Sequence, residues 1–217
     1  MKRSVKSIRR LYGQQGITLL ELLISMLIGL FILGLVVGLF ASMIKSDSDN
    51  IKAIQLNQEL RSVMSLITRD LRRAGSNRNA AVNAAVSPTN PFSEGSARLT
   101  ISPNDQGVAK SCVTYAYDST ATFGTIQATE LYGFRLDSDN HTVETRASGN
   151  ACDDSGWTDL TDSTLVNISG LTFDESTVSE AGITVRQITI TLSGNLVRDA
   201  NVSRTITETV KLRNDWY

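Results

Sequence analysis

One carboxylate stands at the head of an otherwise apolar run. The segment Gly16-Ile17-Thr18-Leu19-Leu20-Glu21 opens a stretch that continues from Leu22 to Ile44 without a charged residue. A carboxylate in hydrocarbon costs on the order of several kcal/mol unless it is paired. Glu21 therefore marks either an interface to which the side chain snorkels or one half of an ion pair. Few other residues could do chemistry. Cys112 and Cys152 are the two cysteines, and His141 is the sole histidine. With no Cys-x-x-Cys near it, His141 gives little support to a metal site. Asp137-Ser138-Asp139-Asn140 and Asp153-Asp154 could hold Ca²⁺, but the first lacks the glycine and terminal glutamate of an EF-hand loop, and both read as solvated turns. There is no G-x-S-x-G, P-loop or H-E-x-x-H. The expectation is no catalytic residue, no cofactor and no metal.

The elements that position Glu21 follow from length and charge. At about 1.5 Å per residue, Leu22 to Ile44 spans roughly 35 Å as a helix, enough to cross a bilayer. Lys2, Arg3, Lys6, Arg9 and Arg10 precede it with no acid among them. Flanks rich in Lys and Arg stay cytoplasmic, so the remainder should be exported across an inner membrane to the periplasm. In that oxidising compartment Cys112 and Cys152 read as a disulfide closing a loop of about 40 residues, stabilising by about 2–4 kcal/mol. A secretory signal has a shorter apolar core and a small-x-small cleavage site, for which Ala41-Ser42-Met43 is a poor match. An uncleaved signal anchor carrying a periplasmic binding module is the rival reading. Within the run, Gly34 and Gly38 form a G-x-x-x-G pair that permits close helix contact.

A basic leader, then Gly16, Ile17, Thr18, Leu19, Leu20 and Glu21, then an unbroken apolar helix: this arrangement resembles the class III signal of type IV pilins and pseudopilins. The resemblance implies a leader over residues 1–16, cleavage between Gly16 and Ile17 by prepilin peptidase, and N-methylation of Ile17. The family usually starts its mature chain with Phe or Met, and Ile17 departs from that. Cleavage would free an amine at Ile17, one helical turn from Glu21. A neighbouring subunit displaced along the axis could then place its Glu21 against that amine. Setting register is the best-attested use of such a buried charge pair.

Beyond the polar patch Lys45–Asn50, apolar residues recur at Ile51, Ile54, Leu60, Val63, Met64, Ile67 and Leu71 in steps of three and four, with a longer gap near Leu56. This pattern predicts that the helix continues as an amphipathic half over residues 45–74. Gly75 supplies a stop, with Arg72 and Arg73 near the negative helix end. A half-apolar, half-amphipathic spine is the architecture of pilins. The stretch 68–75, T-R-D-L-R-R-A-G, is similar to the end of the spine in the PilW family of minor pilins and in J-type minor pseudopilins. Residues 209–214, T-V-K-L-R-N, resemble the last strand of PilW-like proteins.

Residues 76–96, with Pro88 and Pro91, read as a long loop. Strands are predicted at 98–102, 112–117, 130–136, 141–146, 165–173 with a bulge at Gly170, 188–192 and 206–212, with 194–201 as the connection between the last two. The expected fold class is α+β: a long N-terminal spine packed on one antiparallel sheet, the sheet belonging to a periplasmic domain over residues 75–217. Without the five basic residues of the leader, 16 Lys and Arg face 22 Asp and Glu. That balance has no global pull on nucleic acid. The resemblance implies a minor pilin that primes or caps a type IV pilus, serving adhesion, twitching motility or DNA uptake. Its partners would be prepilin peptidase, other minor pilins, the major pilin and the inner-membrane assembly platform. A J-type pseudopilin of a type II secretion system is the alternative.

Overall fold

The computed structural model describes residues 16–78, 80, 90–120, 126–146, 148–180 and 183–212. The basic leader, Lys2 to Arg10, and the part of the expected loop around Pro88 lie outside them. The chain divides into two units, Met1–Asp49 and Asn50–Tyr217. One helix, α1 (Leu19–Leu71), enters both.

The first unit, among its described residues, is helix alone from Leu19 onward, and every one of those side chains is exposed. It is long and apolar enough to cross a membrane. The helix starts at Leu19 because Thr18 caps it. The Glu21 N–H donates to the Thr18 hydroxyl (3.3 Å) and to the Thr18 carbonyl (3.1 Å). Thr18 followed three residues later by Glu21 is the sequence pattern of a capping box.

The second unit is built on the far part of α1. Leu56, Leu60, Val63, Met64, Ile67, Thr68 and Leu71 are buried. They recur at three and four because α-helical positions advance by about 100° per residue, which keeps them on one side. Ile51 and Ile54, expected in the same stripe, are more than half exposed. Nine residues carry Ile51 half a turn round from Leu60. The packed stripe instead begins at Leu56.

α1 ends at Leu71 rather than Ala74. Its last turn tightens: Arg73 donates to the Asp70 carbonyl and Ala74 to the Leu71 carbonyl, each three residues back. Gly75 adopts φ 71°, and its N–H is given to the Ala116 carbonyl (2.8 Å). The helix terminus is thereby tied to a strand, and only glycine takes that conformation without strain.

The expectation of a single sheet is corrected: there are two. The first is a five-stranded antiparallel meander, β1 (Thr100–Ser102), β2 (Cys112–Ala116), β3 (Leu131–Asp137), β4 (Thr142–Thr145) and β5 (Thr158–Asp159), in that order. The second is a three-stranded meander of β6 (Val166–Glu180), β7 (Ile183–Leu196) and β8 (Asp199–Lys211). β6 meets the first sheet through the Ile168 N–H on the His141 carbonyl and the Phe173 N–H on the Lys110 carbonyl. Lys110 (φ 58°) and His141 (φ 56°) are both left-handed. That conformation interrupts a strand, so the ladder breaks at the points where the sheets touch.

Strand alternation sets the core. Val113, Tyr115, Phe134 and Val143 of the first sheet and Phe173, Ile188, Ile190 and Leu192 of the second join the helical stripe in one buried cluster. The opposite face of the second sheet carries hydroxyl pairs, Thr189 with Thr209 and Ser193 with Thr205. The bulge expected at Gly170 is present between Ile168 and Gly170. The last two strands run further than predicted, and their connection shrinks from residues 194–201 to Val197 and Arg198. Their polar outer residues conceal the length, since Asn, Ser and Thr on a solvated face read as loop.

Two consequences are measurable. Leu60→Ala should destabilise the full chain by about 2–5 kcal/mol in denaturant, followed by tryptophan fluorescence, because it leaves a cavity in the buried cluster beside β7. Ile51→Ala should change stability by less than about 0.5 kcal/mol. The second concerns acid. The Arg186 guanidinium, bonded to both oxygens of Glu175, holds that carboxyl below the usual carboxylate range. A depressed folded value gives stability that is present above the unfolded carboxylate value and lost as pH falls through the folded one. Glu175→Gln should therefore flatten the acid limb of the stability profile below about pH 4 while leaving the neutral limb shallow.

Candidate functional site

Gly16, Ile17 and Glu21 lie together at the exposed start of α1. Ile17 is 74% exposed, and Glu21 is exposed one turn further on. Glu21 occupies the third helical position after the Thr18 cap, where the positive end of the helix dipole favours a carboxylate. The Ser25 hydroxyl donates to the Glu21 carbonyl (2.7 Å), so the one hydroxyl in the next turn is satisfied within its own helix. The Thr18 cap is the residue that sequence reasoning passed over, and T-x-x-E ahead of the apolar run was its signal. From Leu19 to Ile44 no side chain of the described residues covers the apolar surface. Surface of that kind requires a bilayer or other helices around it.

The second place where the sequence marks chemistry is the cysteine pair. Cys112 and Cys152 are bridged, with Cα atoms 6.0 Å apart. Trp157 packs on the bridge, and its indole N–H donates to the Ala151 carbonyl. Arg135, opposite Cys112 in the β2–β3 ladder, organises the stapled loop. One of its nitrogens donates to the Cys152 carbonyl (2.8 Å) and the Asp154 carbonyl (3.0 Å). Its Nε pairs with Glu144, and its ring-facing side lies 4.9 Å from the Trp157 ring. Burial pushes the Glu144 carboxyl up, and Arg135 opposes that rise. Sequence reasoning missed Arg135, because a lone arginine in a strand has no local signature.

At the end of α1, Arg73 stacks over Tyr117 at 4.0 Å, and Tyr117 stacks on Tyr132 at 4.0 Å. This clamps the helix terminus to the first sheet. The Asp137 carboxylate accepts from the Asp139 and Asn140 N–H groups and from the Asn140 side chain, so it is engaged in its own turn. Asp154 likewise accepts from the Ala151 N–H.

Two family models match. Residues 11–37 match the prokaryotic N-terminal methylation motif. Residues 49–212 match prepilin peptidase-dependent protein B. The chain belongs to the prepilin peptidase-dependent protein B family. It is a type IV pilin-like protein, with the long apolar helix followed by antiparallel sheets, and a structural rather than catalytic family is where it falls. The family shown is not PilW specifically. No curated protein and no solved structure matches. Membership in a prepilin peptidase-dependent family implies processing by that peptidase and assembly with other pilins, and the apolar helix implies a membrane anchor.

Alkylation of the native protein without reductant should label neither Cys112 nor Cys152. The double variant Cys112→Ser with Cys152→Ser should lose about 2–4 kcal/mol of stability in the same denaturant assay. Labelling of both thiols in the native chain would refute the staple.

Proposed function

We propose that this chain is a minor pilin, PilW-like in its spine, which assembles with other minor pilins to prime or cap a type IV pilus. The carrying observation is the bare apolar helix behind a Gly16-Ile17 junction in a chain of a prepilin peptidase-dependent family. Prepilin peptidase cuts between Gly16 and Ile17 on the cytoplasmic face and methylates the Ile17 amine. The basic leader holds that end in the cytoplasm, and the unit beyond α1's apolar part sits in the periplasm. The membrane stretch S-M-L-I-G-L-F-I-L-G, residues 25–34, looks more PilW-like than J-type, which favours a pilus over a secretion machine.

Glu21 carries the assembly step. In the assembled fibre its carboxylate pairs with the Ile17 amine of the next subunit. Each charge in hydrocarbon then has a partner, and the pair sets the offset between helices. On its own chain the next basic residue downstream is Lys45, 24 positions away. The major pilin and the inner-membrane platform are the remaining partners.

Gly16→Val should leave a precursor heavier by the leader, seen by mass spectrometry of the N-terminus. Wild-type protein that retains residues 1–16 in cells would end the pilin reading. Glu21→Gln should be cleaved normally and fold normally, yet co-purify poorly with other minor pilins. Normal co-purification and piliation in that variant would reduce Glu21 to a helix-capping carboxylate.

A further inference from the structure

The second unit carries a shallow groove of about 370 Å³ whose lining includes Lys52, Glu59, Leu165, Val166, Leu196 and Arg198. Every one of these residues belongs to that unit. Val166 and Leu196 are core residues, 2% and 7% exposed, so the floor is apolar. Leu165 and the neighbouring Val197 are 50% and 49% exposed. Val197 and Arg198 form the turn between β7 and β8, and the Val197 N–H donates to the Leu165 carbonyl (3.2 Å). Adjoining backbone therefore presents the two bare side chains. Lys52 fastens the turn to α1, with its Nζ 3.0 Å from the Asp199 carboxylate. Arg198 is exposed, and Glu59 stands two turns along α1 from Lys52. The groove thus joins an apolar floor to a cation and a carboxylate.

We propose that this groove holds a phospholipid of the anchoring bilayer, one whose headgroup carries both a phosphate and an ammonium. The acyl part lies over Leu165, Leu196 and Val197, the phosphate meets Arg198, and the ammonium meets Glu59. Two observations select this occupant. The first is charge: Lys52 is matched by Asp199, and Arg198 and Glu59 offer one group of each sign, which suits a zwitterionic headgroup better than an anionic one. The second is reach. Lys52 is eight residues past Ile44, where the uncharged run ends. Even a fully extended chain spans at most about 29 Å over that distance. An anchored chain therefore meets lipid headgroups at high effective concentration, and the site needs little affinity of its own. Two half-bare aliphatic side chains and an arginine that can keep its head in water are enough under that condition. The second unit itself, and not the apolar helix alone, then touches lipid. This inference rests on the membrane-anchor reading of the apolar run, and it adds a lipid site outside that run.

The test uses the full chain reconstituted into vesicles of phosphatidylethanolamine and phosphatidylcholine. A fluorophore is attached through Val197→Cys, and in a second sample through Val178→Cys. Val178 is 40% exposed and lies 12 residues along β6 from Val166, roughly 40 Å away, so it reports on bare surface far from the groove. Lipids carrying a nitroxide at the headgroup should quench the label at position 197 at least threefold more than the label at 178. Adding Leu165→Asp with Arg198→Glu should bring the two positions level. Both side chains are exposed, and an intact Cys112–Cys152 bridge reports that the fold is kept. Flotation of the same samples separates the two readings. A chain that does not float with the vesicles overturns the anchor and this proposal with it. A chain that floats yet shows equal quenching at 197 and 178, or quenching at 197 that survives the double substitution, overturns this proposal alone. Shielding of 197 that follows the protein-to-lipid ratio without quenching by lipid assigns the groove to a second copy, and equally overturns it.

Discussion

The globular unit depends on one helical stripe. Leu56, Leu60, Val63, Met64, Ile67 and Leu71 form the ridge against which both sheets lay their apolar faces. Neither sheet could bury that face alone. The first has strands of two to seven residues, and the second is three strands whose outer side is hydroxylic. Packing of strands on a helix is what makes small sheets stable in water. The same helix supplies a segment with no cover at all, so a single element meets two solvents. Its first half demands apolar surroundings from outside the chain, and its second half provides them to the rest of the chain.

Much of this was legible in residue order because the physics is local. The uncharged stretch from Leu22 to Ile44, the heptad-like spacing to Leu71 and the alternation in Ile188–Leu192 each follow from side-chain periodicity. The Gly170 bulge and the cysteine pair were also readable, one from a glycine in a strand and the other from the count. Ile51 and Ile54 recur three apart, but the longer gap before Leu60 turns them off the buried stripe. Elsewhere the deciding contacts were distant in sequence. The two sheets meet at Lys110 and His141, both left-handed, through bonds to β6 that lie far along the chain. Arg135 earns its place through carbonyls 17 and 19 residues away.

The candidate assembly segment divides in the same way. Glu21 and the Gly16-Ile17 junction are visible as types in order, whereas the Thr18 cap adds a local reason for a carboxylate at Glu21. At the helix N-terminus the positive end of the dipole favours that carboxylate in an isolated subunit. The cap fixes where the helix begins, and hence how far along the axis that carboxylate sits.

The junction between the sheets has a bearing on how such a chain can diversify. Their backbone link runs through the carbonyls of His141 and Lys110, which accept from Ile168 and Phe173 on the near part of β6. Past Phe173, β6 and the start of β7 form a ribbon paired out to Glu180 and Ile183. Insertions there leave the disulfide-stapled meander untouched, provided residues are added to the two strands in matching steps of two. A step of one would swap the two faces of everything beyond it. The ribbon is thus a place where related chains can change length, and with it reach, without altering the helix-bound core.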